Sequence, residues 1–185
     1  MRIARKLNAD IEIIKRFVAA LGSGMIEISG NKFARPEFFV LAHTFIDEYI
    51  EGGFFKKEEM LINALEELGF PPDDGVIGFL RSDQKESREA AKQLVGAAKQ
   101  WQDGDKNART DVSWAASEYT SALRQHLDRL KTLVFPLLEQ NLSIEDEHQI
   151  AVGFNAIPLD VDMQNNPDKY SKLIETLEEE LFDWR

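Results

Sequence analysis

The chain has 185 residues, of which 43% are hydrophobic and 30% charged, and its formal net charge is -11. This length suits one domain, or one domain with an appendage, and the acidic balance argues against nucleic acids and anionic membranes as partners. Cysteine is absent, which excludes disulfides, thiolate metal ligands and a cysteine nucleophile and fits a cytoplasmic location.

Neither a signal peptide nor a membrane-spanning helix is expected. The residues that follow Met1 alternate charged and apolar types at helical spacing, unlike the apolar centre of a signal peptide. No apolar run approaches the roughly 20 residues that a membrane span needs. We therefore expect an ordinary globular protein.

The first helix is predicted from about Ile3 to Leu21. Its buried face is predicted from apolar residues that recur at helical spacing: Leu7, Ile11, Ile14, Val18 and Leu21. Gly22 and Gly24 predict the end of this helix, and Met25 to Ala34 is expected to be a loop.

The second helix is predicted from about Pro36 to Leu68, and Pro36 falls in its first turn, where the missing N–H costs little. Its core side is expected to contain Leu41, Phe45, Gly52, Phe55, Glu59 and Ile62, together with Ile46, Tyr49, Phe54, Leu61 and Leu65. Gly52 and Gly53 should weaken the helix by about 1 kcal/mol each. Such a pair also allows a bend or the close approach of a neighbour.

Two further long helices are predicted. The third begins after a cap at Asp73 or Asp74 and ends at Gly104. Its core side is Ile77, Leu80, Gln84, Ser87, Ala91, Leu94, Ala98 and Trp101. The fourth runs from about Thr110 to Gln140, with a kink expected near Pro136. Its core side is Tyr119, Leu123, His126, Leu130, Leu133 and Leu137.

The remaining residues predict two helices separated by an irregular stretch. Ser143 resembles a cap, followed by a short helix to about Ala156, and residues 158–167 are polar and expected to be irregular. The final helix, from about Asp168 to Trp184, should bury Tyr170, Leu173, Ile174, Leu177, Leu181 and Trp184. The expected fold is all-α, an antiparallel up-down four-helix bundle over residues 1–157. Residues 158–185 form an extension that packs on it.

Three of the predicted core sides carry a polar residue: Glu58 or Glu59, Gln84, and His126. An unpaired buried polar group costs about 1–3 kcal/mol, so these side chains need partners. One interpretation is a hydrogen-bonded polar cluster in an apolar core. The other is a metal site, because helical bundles hold iron or manganese with inward-facing His and Glu. A dinuclear site uses about five to seven ligands, more than these residues supply.

The other two histidines are expected near the surface. His43 lies beside the core side of its helix, and His148 lies in an acidic segment. The sequence contains no HExxH, no GxSxG, no phosphate-binding glycine loop and no dinucleotide fingerprint. We therefore expect that the protein is not an enzyme.

Several segments, in the same order along the chain, are similar to one known family. Residues 54–59 correspond to a helical motif that the family writes His-His-x-Lys-Glu-Glu, and residues 65–71 to the exit from that helix. Residues 82–84 take the place of Ala-Glu-His, and residues 125–136 that of His-Ile-x-Lys-Glu followed by Leu-Phe-Pro. Residues 7–11 take the place of Leu-x-x-Glu-His. From about Leu7 to Ile157 the chain resembles the hemerythrin-like HHE cation-binding domains of bacteria.

The resemblance implies a hemerythrin-like bundle and shows which ligand positions differ from the family pattern. Ile11, Phe54 or Phe55, Gln84 and Leu130 stand where the family has metal ligands, whereas Glu58 or Glu59 and His126 match it. Burying a large apolar side chain contributes about 1.5–3 kcal/mol. The pattern therefore indicates a metal-held core converted into a packed one, with no metal or cofactor expected. The residual candidates for a metal are Glu58, Glu59, Gln84 and His126.

The expected function is that of a non-enzymatic hemerythrin-like protein that has lost the diiron site and acts by binding or protein interaction. Its partner is an unknown protein or a second copy. Two alternatives stay open for the C-terminal helix: it packs back on the bundle, or it presents Leu177, Leu181, Phe182 and Trp184 to that partner. The alternative is a reduced site in which His126, Glu59, Gln84 and water hold one iron or manganese ion. Such a site would serve oxygen, nitric oxide or redox sensing.

Overall fold

In the computed structural model, which describes residues 1–185, helices are joined by short turns and no β-strand is present. The helices are α1 (Arg2–Glu27), α2 (Pro36–Phe45), α3 (Phe55–Glu67), α4 (Gly75–Gln102), α5 (Ala108–Arg129), α6 (Phe135–Asn141), α7 (Ile144–Phe154), α8 (Pro158–Asn165) and α9 (Lys169–Asp183). A π-helical segment π1 (Ile46–Phe54) joins α2 to α3 without a break, and a second one, π2 (Leu130–Val134), joins α5 to α6. The prediction of an all-α, hemerythrin-like bundle is confirmed.

Polar contacts between helices show the relative directions of neighbouring helices. The elements α2, π1 and α3 form one continuous helix, the second long helix. Its Glu51 lies 3.0 Å from Arg88 of α4, and its Glu66 lies 3.1 Å from Arg81 of α4. Residue numbers thus rise along that helix as they fall along α4, and the two are antiparallel. In the same way Arg109 at the start of α5 donates to the carbonyl oxygen of Ile28, just after the end of α1. The α1 and α5 helices therefore also run in opposite directions.

The α1 helix continues six residues beyond its predicted end at Leu21. Gly22 and Gly24 do not terminate it, because both keep helical backbone and both are buried. A Cβ atom at Gly24 would overlap Phe38 Cε1 and lie 2.9 Å from Phe38 Cζ. Gly24 is therefore a point of close approach between α1 and α2, and the turn comes later, around Gly30, which has a φ of +77°.

The π-helical segments change which residues face the core. In each segment a backbone N–H donates to the carbonyl oxygen five residues earlier: Phe55 to Ile50, and Phe135 to Leu130. Each extra residue in a turn rotates the following side chains by about 100° relative to an α-helix. A core side drawn at α-helical spacing throughout therefore selects the wrong neighbour at some positions within or just beyond these segments, although Leu61, Ile62 and Leu65 are buried as predicted.

Two predicted core positions are wrong for this reason. Leu133 was expected on the core side of the fourth helix but is 44% exposed, and the neighbouring Val134 is buried in its place. Glu59 was expected on the core side of the second helix, but its neighbour Glu58 is the buried residue. The predicted core residues Leu41, Gly52, Trp101, Leu137 and Leu173 are half-buried.

Residues 158–165 form a helix rather than the irregular stretch that was predicted. Pro158 occupies the first helical position after the extended residue Ile157, the place where proline is favoured. The following helix, α9, packs on α1 and α2, and the Trp184 ring lies 5.0 Å from the ring of Phe38. The division of the chain at residue 157 stays a prediction.

The helices of the bundle differ widely in length. None of them combines the length and the apolar character needed to cross a membrane.

Candidate functional site: a buried histidine–carboxylate cluster

A group of polar side chains lies inside the apolar core, where three helices meet. His126 comes from α5, Glu58 from α3 and Asp83 from α4, and all three side chains are buried. Heptad-like spacing on α5 places His126 on the same buried face as Tyr119 and Leu123. The predicted convergence of His126 with a glutamate of the second helix is observed, and the glutamate is Glu58.

Each ring nitrogen of His126 contacts a carboxylate. His126 Nε2 lies 2.6 Å from Glu58 Oε1 and 2.7 Å from Oε2. On the opposite edge of the ring, His126 Nδ1 lies 3.3 Å from Asp83 Oδ2. Arg129, one turn beyond His126 on α5, donates to the other oxygen of Asp83. The imidazole is therefore held between two carboxylates, one at each nitrogen.

Electrostatics favour the protonated imidazole. Burial alone lowers the pKa of a histidine. Here the negative charges of Glu58 and Asp83, and the hydrogen bonds to them, outweigh burial and raise the pKa of His126 to about 9. At neutral pH both ring nitrogens then donate. The two cations, His126 and Arg129, balance the two carboxylates.

The other two predicted candidates lie apart from this network. Glu59 is half-buried and pairs with Arg81 at a distance of 3.4 Å, so it belongs to the surface of the bundle. Gln84 is buried, but its Nε2 has no hydrogen-bond partner, and the hydroxyl of Tyr119 is in the same situation. An unsatisfied buried group costs about 1–3 kcal/mol. The side chains of the His126 cluster are all paired. In contrast, Gln84 on α4 and Tyr119 on α5 each keep one buried polar atom without a partner.

One large apolar side chain lies against the imidazole, and others belong to the same continuous core. Ile11, Leu130, Phe54 and Phe55 are all buried in the continuous core. The Phe55 ring meets the His126 ring edge to face, with centroids 5.5 Å apart. These are the positions at which the resemblance placed metal ligands, and here they supply packing.

Asp83 and Arg129 were missed by the sequence analysis. Asp83 immediately precedes Gln84, and a stripe that takes one residue per turn selects only Gln84. The available signal was the spacing of three between His126 and Arg129, which places two cations on one side of α5. A carboxylate on the facing helix is the partner that such a pair requires.

A second buried polar cluster was also missed. Lys57 is only 5% exposed, and its Nζ lies 2.7 Å from Asp10 Oδ2 and 2.9 Å from Asp160 Oδ1. The Tyr49 hydroxyl donates to the other oxygen of Asp10 at 3.0 Å. Burial raises the pKa of Asp10 even though the neighbouring ammonium of Lys57 opposes the shift. This cluster joins α1, π1, α3 and α8.

Comparison with known proteins places the chain in a family. The chain belongs to the hemerythrin HHE cation-binding domain family, which it matches over residues 5–138. The predicted resemblance is thereby confirmed for the bundle, and α7, α8 and α9 lie outside the match. A comparison with curated proteins and one with solved structures each returned no match.

The family implies a cation, and the donor atoms of the cluster determine whether one fits. The two ring nitrogens of His126 point away from each other, toward Glu58 and Asp83, so one ion cannot bind the imidazole and both carboxylates together. No group of three or more His, Asp or Glu side chains is arranged to hold a metal ion. The residues present do not fit a dinuclear centre.

Proposed function

We propose that this protein is a hemerythrin-like bundle that has lost the dinuclear metal site of its family and acts by binding another protein, without catalysing a reaction. The observation that carries the proposal is the bond of 2.6 Å between His126 Nε2 and Glu58 Oε1. The two residues that match the family's ligands satisfy each other. The replaced positions Ile11, Phe55 and Leu130 are buried in the same core, and the Phe55 ring lies 5.5 Å from the imidazole ring.

A metal ion that bound His126 and Glu58 would have to break the hydrogen bond that already joins them in the core. Separating Glu58 from His126 would break a buried ion pair and leave the imidazole with Asp83 as its remaining partner, which costs several kcal/mol. The remaining donors are few, and a site with one imidazole holds iron or manganese weakly. A core of this kind supports folding without an ion.

Metal analysis tests this part of the proposal. Freshly purified protein from cells supplied with iron and manganese should contain far less than one metal ion per chain. Its absorption spectrum in air should lack a charge-transfer band. The matched control is the quadruple variant Ile11→His, Phe55→His, Gln84→His and Leu130→Glu, which restores the family pattern and should retain metal from the same preparation. Near-stoichiometric iron or manganese in the unmodified protein would overturn the proposal.

The binding part of the proposal is supported by apolar side chains at one end of the bundle. Ile26 in the last turn of α1 is 71% exposed, Phe33 in the following turn is 58% exposed, and Phe182 in the last turn of α9 is 78% exposed. Ile26, Phe33 and Trp184 line one shallow concavity. Leu177, Leu181 and Trp184 are buried, as in the first of the two alternatives, in which the C-terminal helix packs back on the bundle. Of the residues expected on α9, Phe182 remains available.

Self-association is the form of binding that can be measured directly. The mass in solution should exceed the 21.1 kDa of one chain at high protein concentration. The variant Phe182→Ser, which removes an exposed ring, should return the mass to that of one chain without loss of helix content. The matched control is Val152→Ser on α7, which is also exposed. A mass of one chain for the unmodified protein at every concentration would exclude a second copy as the partner.

A second candidate function is a reduced metal site for oxygen, nitric oxide or redox sensing. The observation that favours it is that His126 and Glu58, which match the ligand pattern of the family, lie side by side in the core. In such a site the direct bond between Glu58 and His126 would be replaced by an ion that both side chains bind. The metal content of the purified protein decides between the two functions.

A further inference from the structure

The short helix α8 is attached to the bundle mainly through two neighbouring residues. Leu159 is its one fully buried residue. Asp160 is half-buried, and its side chain is the one in α8 that forms an ion pair with the bundle. Most of the other residues of α8 are exposed, including Val161 at 45%. Met163 is partly buried against the core, so the attachment depends mainly on one buried leucine, one partly buried methionine and one carboxylate.

Leu159 enters a notch that exists because residue 53 is glycine. A Cβ atom at Gly53 would overlap Leu159 Cδ2 and would lie 3.1 Å from Leu159 Cγ. Gly53 belongs to π1, where the wide turn of the helix brings its backbone to the surface that α8 covers. Any larger residue at position 53 would occupy the space that Leu159 fills.

Asp160 completes the second half of the contact. Its carboxylate accepts a hydrogen bond from Lys57 Nζ at 2.9 Å, while Asp10 accepts from the same ammonium at 2.7 Å. The Lys57 side chain is only 6% exposed, so α8 supplies one of its two carboxylate partners and also much of its cover. When α8 is detached, the notch at Gly53 and the Lys57 ammonium face solvent side by side.

The attachment is weak compared with the bundle itself. A helix of eight residues is not stable alone in water. It is held by Leu159, the partly buried Met163 and one ion pair, whereas α1, α4 and α5 each bury a row of apolar residues in the continuous core. Segments with few buried contacts open before the rest of a protein does.

We propose that α8 is a detachable strap. Its Leu159–Asp160 pair occupies a two-part site on the bundle, made of the notch at Gly53 and the Lys57 ammonium. The strap opens while the long helices stay folded. The closed strap keeps Lys57, Asp10 and Tyr49 from solvent, and the open strap exposes a cation beside an apolar notch.

Gly53→Ala should detach the strap, because the added Cβ atom fills the notch that Leu159 occupies. Alanine favours helical backbone more than glycine does, so the helix that carries residue 53 should stay folded. Hydrogen exchange followed by mass spectrometry should show the amides of residues 158–165 exchanging at least about tenfold faster in this variant. Peptides from α1, α4 and α5 should keep their protection. The matched control is Gly96→Ala on α4, where an added Cβ meets nothing within 4 Å, and it should exchange like the unmodified protein.

A second variant tests whether the filled notch causes the faster exchange of α8 in Gly53→Ala. Leu159→Ala removes Cδ2 and Cγ, the two atoms that the new Cβ would approach most closely, and keeps Leu159 Cβ at 3.3 Å. The α8 helix in the double variant Gly53→Ala, Leu159→Ala should therefore exchange no faster than in Leu159→Ala alone. Labelling of lysines with an amine-reactive reagent gives an independent readout, and Lys57 should react faster in Gly53→Ala. Unchanged exchange of α8 in Gly53→Ala would overturn the proposal, and so would faster exchange of all helices together.

Discussion

His126 and Glu58 are joined across the core of the bundle by a bond of 2.6 Å between Nε2 and Oε1, and neither residue is exposed to solvent. One lies on α5 and the other on α3, so the bond ties together two helices that are distant in sequence. Because the pKa of His126 is raised to about 9, the bond joins an imidazolium to a carboxylate. Buried, paired charges respond strongly to the loss of either partner.

The first prediction concerns the dependence of stability on pH. The pKa of His126 is about 9 in the folded protein and 6.5 for an ordinary histidine, so the folded state binds the proton more tightly. The resulting contribution is fully present below about pH 6.5 and is lost as the pH rises through about 9. By the usual conversion of a pKa difference, the loss amounts to at most about 3 kcal/mol.

Urea unfolding between about pH 7 and pH 9.5 measures this loss. Burial raises the pKa of Tyr170 to about 12, which lies above this window. The variant His126→Gln is the control and should show a flatter profile. Equal slopes for the two proteins would contradict the assignment.

The second prediction is that His126 and Glu58 are energetically coupled. His126→Leu alone leaves a carboxylate buried near Phe55 without its partner, and we expect a loss of about 3–5 kcal/mol. Glu58→Gln in the same chain removes that charge, so the double variant should be more stable than His126→Leu alone. A double-mutant cycle by chemical unfolding measures the coupling. Stability losses that simply add would mean that the bond contributes nothing of its own.

The sequence predicts the helices well, and the core side less well wherever the helical repeat changes. The apolar residues of α1 and α4 recur at the α-helical spacing, so every residue predicted on the core side of α1, and every one on that of α4 except Trp101, is buried. In the second long helix, π1 lies between the early apolar positions and the two glutamates. Nothing in the residues around Gly52 and Gly53 indicates how far the wider turn rotates the side chains beyond it, so Glu58 and Glu59 could not be distinguished.

The Lys57 cluster shows a different limit. Lys57, Asp10 and Asp160 each resemble a surface charge in their own segments, and their partners lie 47 and 103 residues away from Lys57 in the numbering. Only the packing of α8 and α1 against π1 and α3 brings them together. Charges that are buried as a set leave no periodic signal, since each one interrupts the apolar pattern that sequence analysis relies on.

The third prediction concerns Asp83, which holds the second nitrogen of the imidazole. Asp83→Asn removes a negative charge and weakens the bond at Nδ1, and it leaves the positive charge of Arg129 uncompensated nearby. Both effects disfavour the imidazolium, so the pKa of His126 should fall below its value of about 9. Titration of the three histidine ring signals by NMR measures the shift. Glu12→Gln, which removes an exposed carboxylate, is the control, and an unchanged pKa in Asp83→Asn would remove Asp83 from the network.

The fourth prediction tests why α1 passes through its glycines. An alanine at residue 24 would overlap the ring of Phe38, and overpacking of this kind typically costs about 1–3 kcal/mol. Gly24→Ala should therefore destabilise the protein, although alanine is the better helix former by about 1 kcal/mol. Gly96→Ala on α4 is the matched control, because its added Cβ meets nothing within 4 Å, and it should be neutral or stabilising. Thermal unfolding of the two variants compares them directly. A more stable Gly24→Ala protein would show that the contact with Phe38 does not require glycine.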